Sequence, residues 1–316
     1  MKAYALTAPD RPATLVDLPD PVAPDGGVLI RVRAASVNGF DLYEANGYLA
    51  QAMPHDYPVV IGRDLAGVVA AVADGRTDVA VGDEVIGFVP STPPLHIGTW
   101  AELVPAGPDC ILTPKPRTLP FEAAAAIPLA GATAQDAVDA AGVRAGDVVL
   151  VVGATGGVGS VAVQLAAQLG AMVIATAADG DDAAFVRSLG AAETVDYRTG
   201  DVVKDVRGRH PEGIDVLLDF VDRDDAFTAV CTLVREGGRI ATTLGAADAA
   251  ALAASGATGS NVRGMPTPEK LARLAEQVAA GSLRIEIQQT FPLDDAESAL
   301  GAFAGRTVGK IVLVIG

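Results

Sequence analysis

Residues 148–178 constrain this chain more than any other stretch. They read VVLVVGATGGVGSVAVQLAAQLGAMVIATAA and contain no charged side chain. Roughly 20 apolar residues suffice to span a bilayer. This run, however, carries glycines at 153, 156, 157 and 159, and its period changes around them. Val148 to Val152 is a short run of β-branched residues and leucine, which suits a strand buried on both faces. Past the glycines, Val158, Val161, Leu165 and Leu169 recur at steps of three and four, the spacing of one helix face. Gly170 then stops the helix, and Met172 to Thr176 reads as a second buried strand. Strand, glycine turn, helix, strand is a βαβ unit. Phosphate oxygens must approach backbone N–H groups at the helix N-terminus, where a Cβ would stand in the way. Glycines alone also fit a purely structural tight turn. Here the strand before them and the helix after them supply the context that a dinucleotide site requires.

Proline divides the rest of the 316 residues, a length sufficient for two domains. Sixteen of the twenty prolines lie between Pro9 and Pro128, and only Pro211 falls between 129 and 265. Proline breaks helices and suits edge strands and loops. The first third is therefore expected to be loop-rich β structure and the middle α/β. Residues 28–34 alternate, with Ile30, Val32 and Ala34 on one face and Arg31 and Arg33 on the other, as in a half-buried strand. Residues 67–73, 84–89 and 99–104 read as further strands, with turns at Asp74-Gly75 and Gly82-Asp83, together a small antiparallel barrel. Residues 36–49 gather Asn38, Asp41, Tyr43 and Tyr48, which fits a polar turn and a short helix capped by Asn38 or Asp41. Arg63 and Asp64 admit a plain reading as a solvated ion pair.

In the middle, helices are expected from 121 to 138 and from 181 to 189, and strands at 193–197, 214–220 and 239–244. Alternating strands and helices imply a parallel sheet covered on both faces, with ligands beyond the carboxyl ends of the strands. That places the glycine turn, Ala177, Val221 and Leu244-Gly245 along one rim. In the tail, Thr267-Pro268 opens a helix with apolar positions Leu271, Leu274 and Val278. Asp294 and Glu297 form a capping box for a last helix, and residues 310–315 a final strand.

Charge and cysteine use exclude several functions. A net charge of −16 argues against nucleic acid or an anionic membrane as the main partner, since both need basic patches. Any anionic ligand must be held by local donors. Cys110 and Cys231 are far apart and in no metal-ligand spacing, so they read as idle buried thiols. The opening MKAYALTAPDRPATL has no apolar signal core, which leads us to expect a cytoplasmic protein.

The segments SVNGFDLY, IGRDLAGVV, VGDEVIGF, GTWAELV, GATGGVG, LGAAETVDYR, IDVLLDF and TVGKIVLV cover nearly the whole chain. In them it resembles the zinc-independent, zeta-crystallin-like quinone oxidoreductases of the medium-chain dehydrogenase/reductase superfamily. The resemblance implies a GroES-like β-barrel catalytic domain from residues 1–122 and 266–316, a Rossmann domain from 123–265 inserted between them, and a homodimer. Zinc-dependent relatives carry a cysteine where this chain has Asn38 and a histidine where it has Arg63. A zinc site needs about three protein ligands, and only His55, His96 and His210, scattered, are on offer. No metal is expected.

For the cofactor, the resemblance places the pyrophosphate on Thr155, Gly156, Gly157, Val158 and Gly159, with Thr176, Val221, Leu244 and Gly245 beside it. Asn38 and Thr133 would lie at the nicotinamide, with Lys310 as a further contact. An acidic residue ending the second strand would bind the 2′-hydroxyl of NAD. Ala177 stands there instead, and Tyr197 and Arg198 match a segment that approaches a 2′-phosphate, with Arg187 in reach. Asp179, Asp181 and Asp182 oppose that phosphate, and Asp179 would serve NAD if the strand ran two residues further. On balance NADP(H) is favoured over NAD(H).

The expected reaction is hydride transfer to the electron-poor C=C of a quinone or an α,β-unsaturated carbonyl, a small electrophilic substrate. Without a metal, hydrogen-bond donors must stabilise the developing oxyanion. Asn38 is the first candidate for the site, near the nicotinamide ribose and the substrate oxygen; Thr133 would touch the nicotinamide side, and Tyr43 or Tyr48 would donate a proton, with water able to do the same. Two rivals share these motifs: an enoyl reductase acting on acyl thioesters, and a non-catalytic NADPH-binding sensor or structural protein.

Overall fold

The computed structural model describes residues 1–248, 252 and 256–316. It divides into two units, residues 1–129 with 266–316 and residues 130–265. The first junction of these units falls within the opening turn of a helix, Pro128–Ala140. Pro128 opens that helix instead of extending the loop region, because proline fits the first helical turn, where its missing N–H has no partner to lose.

The barrel unit begins with β1 (Lys2–Leu6), β2 (Thr14–Asp17), β3 (Val28–Ser36), α1 (Gly39–Ala45), β4 (Val59–Val60) and β5 (Asp64–Val72). It continues with β6 (Glu84–Phe88), β7 (Leu103–Ala106), β8 (Ile111–Pro114) and α2 (Phe121–Ala125). The chain then enters the second unit through α3 (Pro128–Ala140), β9 (Val148–Val152), α4 (Gly157–Gln168), β10 (Met172–Thr176), α5 (Asp181–Ser188) and β11 (Glu193–Val195). There follow α6 (Val202–Arg209), β12 (Ile214–Asp219), α7 (Asp224–Cys231), β13 (Val234–Thr242) and β14 (Thr258–Asn261). The tail supplies α8 (Pro268–Ala279), β15 (Ile287–Pro292), α9 (Ala296–Ala304) and β16 (Lys310–Val314).

In the barrel unit, a three-stranded sheet runs β2-β1-β4 and a larger one β15-β16-β3-β5-β6-β8, with β7 also on β3. The pairing is antiparallel apart from β15 with β16. β3 alternates as its sequence requires, with Ile30, Val32 and Ala34 buried and Arg31 and Arg33 exposed. Ile30, Leu65, Trp100 and Ile311 belong to one continuous core. Two expectations change. The strand placed at 99–104 starts only at Leu103, because the N–H groups of Thr99 and Trp100 bond Gly62 O and Ile61 O instead of a ladder. A Cβ on Gly62 would meet Trp100 Cδ1 at 2.2 Å, so glycine there admits the indole. Asp294 does not cap the last helix: a 3-10 turn at Leu293–Asp295 moves the cap to Asp295, and Asp294 pairs with Lys2 at 2.9 Å.

The second unit holds one parallel sheet ordered β11-β10-β9-β12-β13-β14. Counted from its first strand this is 3-2-1-4-5-6, the doubly wound dinucleotide order. Leu150, Ile174, Leu217 and Ile240 fill its core. The apolar run 148–178 is divided among β9, α4 and β10, and no helix among the described residues is long and apolar enough to cross a membrane. Cys110 and Cys231 are both free and buried.

Candidate functional site

Within the second unit, the chain leaves β9 at Val152 and turns at Gly153, whose φ of 78° favours glycine. Gly153 N–H donates to Thr176 Oγ1 at 3.0 Å, and Gly156 N–H donates back to Gly153 O at 3.1 Å. Gly156 is the extended N-cap of α4. A Cβ on Gly159 would lie 2.1 Å from Gly153 O, so this glycine lets the helix pack onto the turn. The first N–H groups of a helix have no carbonyl partner inside it. With Gly156 and Gly157 at that end, nothing bulky screens them from an anion. Thr155 is buried and Val158 half-buried beside them.

Along the same rim, Val221 is exposed and its Cγ1 would sit 2.8 Å from a Cβ on Gly153. Asp219 shapes that turn: its Oδ1 accepts from the N–H groups of Val221 at 3.0 Å and Asp222 at 2.9 Å. Burial pushes the Asp219 carboxyl up to about 7. Leu244 and Gly245 follow β13 and line a cavity of about 320 Å³ with Arg223, Asp224 and Thr228. β10 ends at Thr176, so the residue after it is Ala177, fully buried, with its N–H on Val195 O at 3.0 Å. The longer strand that would have brought Asp179 to this position is not formed. Tyr197 and Arg198 are exposed, and Arg198 N–H donates to Asp196 Oδ1 at 2.7 Å. The Arg187 guanidinium donates to Thr194 Oγ1 at 2.6 Å. Thr133 is buried in α3.

In the barrel unit, the residues around Asn38 form a buried polar cluster. Asn38 is the N-cap of α1, and its backbone N–H donates to Asp41 Oδ2 at 2.8 Å. Its Nδ2 donates to Asp64 Oδ2 at 2.9 Å and to Asp41 Oδ2 at 3.4 Å. Its Oδ1 accepts from Lys310 Nζ at 2.6 Å. Asp64 also accepts from Ser36 Oγ at 2.8 Å and from Leu129 N–H at 3.0 Å. Arg63, 2% exposed, pairs with the fully buried Glu44, donates to Ile97 O at 3.0 Å and lies over the Phe40 ring.

Burial dominates the titration of this cluster. It pushes the Asp41 carboxyl up to about 8, helped by the charges of Asp64 and Glu44. It raises Glu44 to about 7 against the opposite pull of Arg63. It also raises Asp64 and lowers Lys310 from their ordinary values. Three carboxyls face two cations here, so holding Asp41 protonated leaves the cluster neutral.

Several sequence expectations change at this point. Arg63 and Asp64 are not a solvated pair: both are buried, and each is bonded to other partners. Asn38 has both Nδ2 hydrogens engaged, so it is not a free oxyanion donor. Lys310 is buried, and its ammonium donates to Val37 O at 2.8 Å and to Asn38 Oδ1. Thr176 supports the glycine turn through its hydroxyl. Tyr43 and Tyr48 are exposed, edge to face with 6.2 Å between ring centroids. Sequence reasoning missed Ser36, Glu44, Asp64 and Asp219. The alternation of an extended chain sends neighbours such as Arg63 and Asp64 to opposite sides, which was a legible sign that they do not pair with each other.

Comparison with known proteins agrees with this geometry. The profile of the alcohol dehydrogenase GroES-like domain matches residues 24–117, and that described as zinc-binding dehydrogenase matches residues 189–313. The solved quinone oxidoreductase from Coxiella burnetii superposes with a TM-score of 0.89 at 31% identity, over 100% of this chain and 99% of that one. A 2-haloacrylate reductase from Burkholderia sp is 33% identical over 309 residues, covering 92% of this chain and 91% of that protein. The chloroplastic NADPH-dependent alkenal/one oxidoreductase of Arabidopsis thaliana is 34% identical over 223 residues. That match covers 69% of this chain and 55% of the plant protein, so the chain spans just over half of the latter's length. With both domain types matched and relatives aligned nearly end to end, the chain belongs to the quinone-oxidoreductase-like branch of the medium-chain dehydrogenase/reductase superfamily of oxidoreductases.

Proposed function

We propose that this protein is an NADP(H)-dependent reductase of quinones and α,β-unsaturated carbonyls that works without a metal. The glycine turn carries the reading: Gly153, Gly156 and Gly159 are held so that backbone N–H groups at the start of α4 receive a pyrophosphate. Ala177, the residue that follows β10, has a neutral side chain, and Arg198 is an exposed cation on the neighbouring loop, which supports NADP(H) over NAD(H). The relatives named as alkenal/one oxidoreductase, quinone oxidoreductase and 2-haloacrylate reductase support an electron-poor C=C as the group reduced.

The donor set does not fit zinc. Arg63 is a buried cation paired with Glu44, and Asn38 is committed to Asp64 and Lys310. A fixed positive charge repels a second cation. Among the described residues no group of three or more His, Cys, Asp or Glu is arranged to hold a metal.

When bound, the dihydronicotinamide supplies a hydride to the β-carbon of the acceptor. The protein's part is to hold the nucleotide at the turn, and to meet the negative charge that develops on the substrate oxygen. Asn38 has no hydrogen left for that oxygen, so the donor role passes to Tyr43, Tyr48 or water. A homodimer and a cytoplasmic location belong to the same proposal.

The test is a titration with NADPH, followed by the loss of dihydronicotinamide absorbance with 1,4-benzoquinone, 2-cyclohexenone and a crotonyl thioester in the presence of a chelator. Turnover of the first two is expected. Binding without turnover by any acceptor would favour a sensor, and strong preference for the thioester an enoyl reductase.

A further inference from the structure

Asn38 and Lys310 are 272 positions apart in sequence, yet their side chains meet at 2.6 Å. The tail of the chain brings this about. β16 pairs antiparallel with β3, Val312 opposite Ser36, and Val37 N–H bonds Ile311 O at 3.0 Å. Lys310, the first residue of β16, is thereby set beside the N-cap of α1. Gly309 allows the approach: its φ is 84°, and a Cβ would fall 2.3 Å from Glu286 O.

The contacts decide which way the Asn38 amide points. An asparagine side chain offers one acceptor oxygen and two donor hydrogens, and an ammonium can only donate. The amide atom facing Lys310 Nζ must therefore be the oxygen. The atom facing Asp64 Oδ2 at 2.9 Å must be the nitrogen, because Asp64, already receiving Ser36 and Leu129, is an acceptor. Turning the amide over would set N–H against ammonium and oxygen against carboxylate. We propose that Lys310 is a positioning residue: with Asp64 it clamps the Asn38 amide in one orientation, so that Asn38 offers a ligand an acceptor and withholds both donors.

The consequence for the ligand rests on the function proposed above; the clamp itself does not. A clamped Asn38 accepts from a hydroxyl, of the kind a nucleotide's ribose carries, through the second lone pair of Oδ1. It gives nothing to a quinone or enone carbonyl, which is itself only an acceptor. Lys310 thus acts on nucleotide affinity through Asn38 and leaves the rate of the reducing step alone.

The chain contains three asparagines, Asn38, Asn46 and Asn261, so labelling asparagine alone with ¹⁵N resolves each side-chain amide by NMR. Asn38→Asp assigns the signal. In the wild-type protein, both Asn38 amide protons are expected to exchange with solvent far more slowly than those of the exposed Asn46. In Lys310→Met, their exchange should quicken by roughly ten- to a hundredfold, the worth of a hydrogen bond to a charged group, and Lys310→Arg should restore part of the protection. The NADPH dissociation constant should rise about tenfold in Lys310→Met with kcat for 2-cyclohexenone unchanged. Fast exchange in the wild type, which needs no variant, overturns the clamp. Unchanged exchange in Lys310→Met overturns the role of Lys310, and a fall in kcat at unchanged affinity overturns the acceptor-only assignment. Failure of NADPH to bind would end the proposed function while leaving the exchange results to judge the clamp.

Discussion

The backbone N–H of Gly153 donates to Thr176 Oγ1 at 3.0 Å, tying the first residue of the glycine turn to the last residue of β10. The bond joins the ends of the two strands that flank helix α4, at the turn to which a pyrophosphate is assigned in the proposed function.

Thr176→Val keeps the shape of this side chain and removes its acceptor. The Gly153 N–H loses its partner, which costs about 1–3 kcal/mol where water cannot replace it. We expect a lower thermal midpoint and an NADPH dissociation constant raised several-fold, read by calorimetry and fluorescence titration. Unaltered NADPH affinity would mean that the turn keeps its form without this bond.

Arg198→Ala should separate the two nucleotides. Arg198 is exposed on the loop after β11, beside Tyr197. A guanidinium contact with a 2′-phosphate is a charge-assisted bond worth about 1.5–3 kcal/mol, so NADPH affinity should fall by about tenfold or more while NADH affinity stays constant. Equal loss for both would show that Arg198 does not read the phosphate.

Arg63→Met leaves Glu44 as an unpaired carboxyl in a fully buried position. Breaking a buried pair from one side costs about 3–5 kcal/mol, whereas replacing both members costs far less. Urea denaturation should therefore show a large loss for Arg63→Met and partial recovery in Arg63→Met with Glu44→Gln. A double variant no better than the single one would place the cost in lost packing over Phe40 instead.

Asp41 should make stability fall as pH rises. Its carboxyl is held up to about 8, first by burial and then by Asp64 and Glu44, with Arg63 pulling the other way and Lys310 close by. Below about pH 4 the side chain is protonated whether folded or unfolded. Between about 4 and 8 the folded form keeps a proton that the unfolded chain has released, and stability drops by up to about 1.4 kcal/mol per pH unit. Above about 8 both forms are ionised and this contribution is flat. Asp41→Asn removes the slope, so the difference between variant and wild type should move in the variant's favour from pH 5 to pH 8. Parallel curves in denaturation experiments at these pH values would show that Asp41 is ionised in the fold throughout.

The elements that were legible were those whose register is local. β9 and β10 fall where the apolar runs end, and α4 starts among the glycines, because strand burial, helical period and glycine punctuation are all properties of neighbouring residues. β1, β2, β4, β8, β14 and β15, and the helices α6 and α7, went unforeseen. β14, TGSN, is polar and takes its form from pairing with β13, and β15 from pairing with β16.

From its order of residues alone, this chain determined a dinucleotide-type βαβ unit, a proline-rich β unit and the family to which both belong. The two units follow from periodicity, from proline distribution and from where Cβ atoms are absent; the family follows from the resemblance of whole segments such as SVNGFDLY and GATGGVG. Only the tertiary structure decided which polar groups meet. Arg63 pairs with Glu44 rather than with its neighbour Asp64, and Lys310 crosses the length of the chain to hold Asn38. The physical reason is that a buried charge must find a partner through strand pairing and burial, and these join residues without regard to their distance in sequence.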